Sequence, residues 1–431
     1  MRRELCFGLA TVLMLAACLT PAICPAVAGE HWTSYRGPAD QGHTDAERLP
    51  IQWSEDQNVV WKAPIEGKAW STPVIWGDRI WLTNARSDGS RYSVLCLDKN
   101  SGKPLLPNKV LYSVALPQYC HPLNSYASPS PVIEEGHVYV SFGSPYNACL
   151  NCETGEVVWE RTDFVCNHFR GPASSPFLYR DLLIMHFDGS DHQYIVAMNK
   201  RTGETVWQTE RTVDFADEDP NTGLPHRQGD FRKAFSTPVI TYVDDRPILI
   251  SLGAKALYGY NPETGEELWR VDNLRCHSGA CRPVAGHGLV FAPMGSGSEL
   301  LAVRPDGSGD VTKTHLAWTY KRAVPRRPSP LLVDGLLFMV NDDGVAACVE
   351  AISGKEVWRK RLGGNYSASP IYASGRIYFF DEGGKATVIE SSRRFHVLAT
   401  NQLDDGFMAS PAVSGDALYL RTRSHLYRIE N

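Results

Sequence analysis

The chain has 431 residues, 43% of them hydrophobic and 21% charged, with a net charge of −5. This is the balance of an ordinary globular chain with enough apolar residues to bury a core. The negative charge excludes a bulk attraction to nucleic acid or to acidic membrane surfaces.

In chain order, residues 1–28 read as a secretion signal. Arg2 and Arg3 form a charged start, and the apolar run from Leu5 to Leu19 is short for a bilayer span. Ala26-Val27-Ala28 before Gly29 suits ordinary cleavage, which would leave the mature protein periplasmic or secreted. Leu15-Ala16-Ala17-Cys18 resembles a lipobox, and the alternative is an outer-membrane lipoprotein anchored through Cys18. No later segment is a transmembrane candidate. Residues 29–57 form a lead-in, and 58–431 form a single repeat domain.

That domain opens on Asn58-Val59-Val60-Trp61-Lys62, an isolated strand ending on Trp61. A phrase of the type Ser-x-Pro or Ser-Pro, then apolar residues, a turn and a strand, recurs from there to the end. Its prolines are 73, 131, 176, 238, 283, 330, 370 and 411, with Cys281-Arg282 replacing the usual small polar residues before Pro283. Spacings in the forties that hold four short strands predict propeller blades. Proline has no N–H and fits the first residue of a strand. A second phrase, strand-Thr-Gly-strand-Trp, ends on Trp159, Trp207 and Trp269, and in a Ser-Gly form on Trp358. Trp318 ends blade five after an insertion that follows Gly309. These residues and Trp61 are broad plates able to wedge against the next blade. Blade one has Ser101-Gly102 but no tryptophan, and blade seven has Ser391-Ser392-Arg393-Arg394 instead of the turn. Few residues remain after Pro411, so the Trp61 strand is expected to complete blade eight. The expected fold is all-β: an eight-bladed β-propeller of four-stranded antiparallel blades, the last closed by an N-terminal strand.

These repeats resemble the PQQ-like propeller repeats of quinoprotein dehydrogenases and of BamB-like envelope proteins, from about Asn58 to Asn431. Phe169-Arg170-Gly171-Pro172-Ala173-Ser174-Ser175-Pro176 looks like an element that lies in a partner-contacting region of BamB. The resemblance implies an exported scaffold that binds an envelope protein. It implies as an alternative a dehydrogenase carrying pyrroloquinoline quinone (PQQ) with calcium. That alternative lacks the adjacent cysteine pair and any clear Glu/Asn/Asp set, and no catalytic or metal residue is proposed.

Equivalent repeat positions form a ring around the propeller mouth. Counting back five or six residues from each proline gives Lys68, Arg170, Arg232, Lys233 and His277 among others, and nearby positions add Arg282, Arg326 and Arg327. Together they would form a basic funnel for an anionic small molecule or a protein partner. The competing expectation is solvated loop residues paired with Asp163, Asp230 or Asp405. His121 and His168 could join the funnel. Exposed Trp70, Tyr126, Tyr366 and Phe407 would instead suit a polysaccharide. Cys96, Cys149 and Cys348 share one repeat position and read as small buried residues. Cys120 with Cys166, and Cys276 with Cys281, are the candidate disulfides. A monomer is expected.

Overall fold

The computed structural model describes residues 29–431, so the segment expected to be a secretion signal, with Cys18, lies outside the described residues. Eight four-stranded antiparallel sheets follow one another around a central channel. Blade one runs from Val74–Trp76 to Lys109–Ser113, and blade seven from Ile371–Ala373 to Val397–Gln402. Blade eight takes three strands from the C-terminus and its fourth from Val59–Pro64, which pairs antiparallel with His425–Ile429. The ring is closed as expected, and no blade of it is left without a neighbour. Among the described residues no helix is long and apolar enough to cross a membrane.

The tryptophans hold neighbouring blades together by two contacts each. Trp61 lies on Gly102 of blade one, and a Cβ there would come within 2.6 Å of the indole. Trp159 lies in the same way on Gly203, Trp207 on Gly265 and Trp318 on Gly354. Each indole Nε1–H also donates to the carbonyl three residues before that glycine: Lys99 at 3.1 Å, Lys200 at 2.8 Å, Pro262 at 3.2 Å and Ala351 at 3.0 Å. Trp358 has no glycine to meet in blade seven; it packs edge-on against Phe395 and donates to Ser392 O at 3.1 Å. Trp269 differs because the blade-five insertion adds a short parallel strand, Gly309–Asp310, beside it. Within each blade the residue opposite the tryptophan is small: Cys149, Ala197, Gly259, Ala302 and Cys348 face Trp159, Trp207, Trp269, Trp318 and Trp358. This explains the shared cysteine position, since a larger side chain would lift the indole off the sheet.

A second set of contacts runs around the channel. The residue before each repeat proline carries a hydroxyl in seven of the eight blades: Thr72, Ser130, Ser175, Thr237, Ser329, Ser369 and Ser410. Thr72 N–H donates to Ser130 Oγ, Ser130 N–H to Ser175 Oγ, and Ser175 N–H to Thr237 Oγ1, at 2.9, 2.9 and 3.0 Å. Arg282 N–H donates to Ser329 Oγ, Ser329 N–H to Ser369 Oγ, and Ser369 N–H to Ser410 Oγ, each at 2.9 Å. Six of eight blade junctions are joined this way. The chain breaks between Ser410 and Thr72 and at Arg282, which has no hydroxyl and whose Nε donates instead to Pro238 O at 2.9 Å.

The lead-in is built into this channel. Trp32 bridges to Ile75, Thr33 O accepts from Ile133 N–H, and His43–Thr44 pairs parallel with the innermost strand of blade seven. Tyr35 Oη contacts Ser369 Oγ at 2.9 Å and Ser329 Oγ at 3.3 Å. Arg36 is buried and donates to Pro370 O at 2.6 Å, Pro330 O at 3.1 Å and Gln41 O at 3.2 Å. The innermost strands otherwise present an open edge to the channel, and the lead-in pairs with that edge at blades one, two and seven. Replacing Arg36 with Ala leaves several buried carbonyls without a charged donor and should cost ~2–4 kcal/mol. Ser175→Ala removes one neutral bond and should cost ~1 kcal/mol. Urea unfolding followed by tryptophan fluorescence checks both values and their order.

Candidate functional site

Above the hydroxyl ring the channel widens into a funnel of about 340 Å³, with Tyr35 among the residues that line it. The segment before each inner strand supplies the wall. Proline at the strand start keeps the residue before it in an extended conformation. The wall is rich in hydroxyls, including Ser128, Ser278, Ser296 and Ser367, and Trp70, Phe235 and Met408 add apolar surface.

Four of the eight expected residues reach this lining: Arg170, His277, Arg326 and Arg327. Arg170 keeps a 41% exposed side chain, and one of its terminal nitrogens lies 3.3 Å from Asp230. Arg326 is 48% exposed, and its guanidinium stands 3.7 Å from Asp342, beyond hydrogen-bond range. Arg327 is committed, with Asp342 at 2.5 Å, Ser367 at 2.6 Å and Glu382 at 2.9 Å. His277 is held near pKa 4 by burial and by the positive charge of Lys233, Lys255, Arg170 and Arg227, so it is neutral at pH 7. The free cationic donors of the funnel are therefore those of Arg170 and Arg326.

The other four stand elsewhere. Lys68 lies over the Trp70 ring and donates to Pro122 O at 2.9 Å, outside the lining. Arg232 turns into the blade-four insertion and pairs with Asp217 at 2.7 Å. Lys233 is fully buried, in contact with Asp230 and the Phe169 ring. Burial, aided by Arg170, pulls its ammonium down to about 7. Arg282 is buried beneath the ring, where Nη1 meets Asp40 of the lead-in at 2.8 Å. Shared repeat offset thus placed backbones in a ring, but nearby carboxylates decided which side chains face the axis. The pairing with Asp230 occurs as expected, whereas Asp163 serves Arg161 and Asp405 serves Ser424.

The thiols need a correction. All eight cysteines of the described residues are free. Cys120 Sγ packs where Gly171 leaves room, and Cys166 Sγ fills the space at Gly189 while facing His168 Nδ1 at 3.6 Å. Cys276 packs at Gly297, and Cys281 Sγ turns to Pro328 O at 3.2 Å. Each sulfur points toward a glycine gap or a carbonyl and away from its expected partner. The aromatic surface proposed for polysaccharide is also absent: Tyr366 and Phe407 are buried, and of the four only Trp70 lines the funnel. His168 is buried and His121 sits by the Arg170 backbone, so neither faces the funnel lumen.

Two contributors were not foreseen. Tyr35 lies outside the repeats. Asp342 sits in the Asn341-Asp342-Asp343-Gly344 turn yet is buried, accepting Arg326 N–H at 2.7 Å as well as the Arg327 guanidinium. Asp342 is the one carboxylate among the lining residues, and both of its oxygens already serve Arg326 or Arg327. Among the described residues no group of three or more His, Cys, Asp or Glu side chains is placed to hold a metal ion. The donor set of the lining does not fit a calcium-bound quinone.

The chain matches the family model described as outer membrane protein assembly factor BamB over residues 108–221 and 253–430. It belongs to this family. The assembly factor BamB of Vibrio cholerae is 25% identical over 185 residues, covering 41% of this chain and 47% of that protein. BamB of Alteromonas naphthalenivorans is 25% identical over 260 residues, covering 54% and 55%. The chain thus spans about half the length of the curated BamB relatives it matches. Solved structures agree on the fold. BamB from Moraxella catarrhalis superposes with TM-score 0.58 at 13% identity, covering 86% of this chain and 97% of that one. A europium-containing methanol dehydrogenase gives 0.64 at 10% identity, covering 92% and 90%. At such identities these structures show the propeller alone.

The loop that carries Arg170 predicts an acid response. His168 Nε2 accepts the Ser144 N–H at 2.9 Å, which requires the neutral ring, and burial lowers its pKa to about 4 from 6.5. As pH falls through 6.5 the unfolded chain takes up a proton that the folded chain refuses. Stability is therefore full above this window, declines toward pH 4, and is level below it. The His168 share is on the order of 3 kcal/mol. Urea midpoints at pH 7 and pH 4.5 should fall steeply in the wild type and less in His168→Gln.

Proposed function

We propose that the protein is a binding module of the cell envelope that takes part in assembling outer-membrane proteins. Its funnel holds a carboxylate-bearing segment of an envelope partner. The observation that carries this reading is the pair Arg170 and Arg326, from blades three and six. Both guanidiniums line one hydroxyl-rich funnel with donors to spare. Two such groups beside a largely neutral wall favour an anion, and serine hydroxyls adapt to its remaining oxygens. The family's printed role, outer membrane protein assembly, supports an envelope protein over a free metabolite as the carrier. Export to the periplasm, or anchoring through Cys18, belongs to the same reading.

The dehydrogenase alternative rests on the fold that this chain shares with quinoprotein enzymes. The engaged Asp342 speaks against it.

An acidic peptide of Glu and Gly residues, titrated calorimetrically into the purified mature protein, should bind at low salt and weaken ~10-fold or more in Arg170→Ala/Arg326→Ala. Unchanged affinity in the double variant would remove the funnel from the account. A parallel titration with PQQ in excess calcium should give no heat. Calcium-dependent binding there would turn the reading to a quinoprotein.

A further inference from the structure

The floor of the funnel carries donors that nothing else in the fold uses. Ser130, Ser175, Thr237 and Ser410, of blades two, three, four and eight, are each at most 5% exposed, yet all four line the funnel. Each side-chain oxygen accepts one backbone N–H from the preceding blade, at 2.9–3.0 Å. A hydroxyl also has a hydrogen to give, and none of these four has an acceptor for it among the described residues. The other side of the floor is occupied: Tyr35 Oη stands on Ser369 Oγ and Ser329 Oγ, of blades seven and six. The free hydroxyls therefore form an arc around the side of the axis that Tyr35 leaves open.

Two features decide what this arc would hold. The first is charge. Arg170, Arg326 and Arg327 line the same funnel, and its one carboxylate, Asp342, already serves two of them. Hydroxyl donors beneath a positive field favour an anion. The second is that the floor is blind. Beneath the ring lie Arg36 and Arg282, each 1% exposed, with Arg36 on the carbonyls of Pro330 and Pro370. A ligand cannot thread through. A chain end brings one carboxylate to such a floor by itself, whereas a loop must carry two strands, ~5 Å apart, down and back.

We propose that the hydroxyl arc seats the α-carboxylate of a polypeptide C-terminus. Acidic side chains just before that end would meet Arg170 and Arg326 higher in the funnel. The four hydroxyls donate to the carboxylate oxygens in place of water. The inference rests on the funnel reading and deepens it: the carboxylate-bearing segment of the partner is a C-terminal tail.

The test is calorimetric titration of the purified mature protein with a short peptide of Gly and Glu residues, acetylated at its N-terminus, as the free acid and as the carboxamide. A second carboxamide with one more Glu matches the net charge of the free acid. The free acid should bind ~10-fold more tightly than either amide, or better. Ser175→Ala/Thr237→Val removes two hydroxyls of the arc and should bring the free acid down to the level of the amides, with the amides unchanged. If that variant fails to fold, Ser410→Ala at the other end of the arc should narrow the gap, and the wild-type comparison stands without either. Equal binding of the free acid and the charge-matched amide, lost in Arg170→Ala/Arg326→Ala, overturns the chain-end inference and leaves the funnel reading standing. Binding of no form overturns both. A gap undiminished in floor variants that fold, or N-acetylglutamate binding as tightly as the free-acid peptide, also overturns the inference, the latter by making the ligand a small molecule.

Discussion

The structure depends on a ring of hydroxyls, one in each of seven blades. Each inner strand must begin at the channel, where its first residues have neighbours only on one side. Proline removes one backbone donor from this position, and the residue before it still has one to satisfy. The side-chain oxygen of the next blade meets that N–H at 2.9–3.0 Å at six junctions. The bond fixes the distance between blades at the axis, while the tryptophans fix it near the rim. Two radii held at once define the wedge angle of a blade, and eight such wedges close a circle.

Closure then creates a second constraint. A ring of this size leaves a channel whose walls are backbone edges, and the lead-in answers it. Two buried arginines seat it: Arg36 of the lead-in gathers carbonyls from blades six and seven, and Arg282 of blade five donates to Asp40 of the lead-in. With the narrow end filled, the channel is a funnel and not a pore. Carboxylates above the ring absorb most of the cations there, which leaves Arg170 and Arg326 as the available donors. Specificity in such a funnel comes from which charges remain unpaired, more than from how many are gathered.

Much of the architecture was legible in the sequence. Proline spacing, Thr-Gly turns and terminal tryptophans are local signals, and blade count and closure follow from them by geometry. The site was less legible because its determinants are not local. Arg282 and Arg326 share a repeat neighbourhood, but only the structure brings Asp40 to the first from 242 residues away. Tyr35 belongs to no repeat, so no offset points to it. The disulfides were expected from compartment and loop position, and the direction of each thiol overruled them. The hydroxyl residue before seven of the eight prolines was visible as a pattern, but its partner in the next blade was not, since nothing in one repeat marks the hydroxyl of another.

The most direct test of the central claim places a photo-crosslinking residue at Ser278, in the funnel, and separately at Val206, on the exposed outer strand of blade three, in living cells of the host. The account predicts an adduct with an envelope protein from the Ser278 position, lost when Arg170 and Arg326 are replaced by Ala. An adduct from the Val206 position alone, unaffected by those replacements, would contradict it.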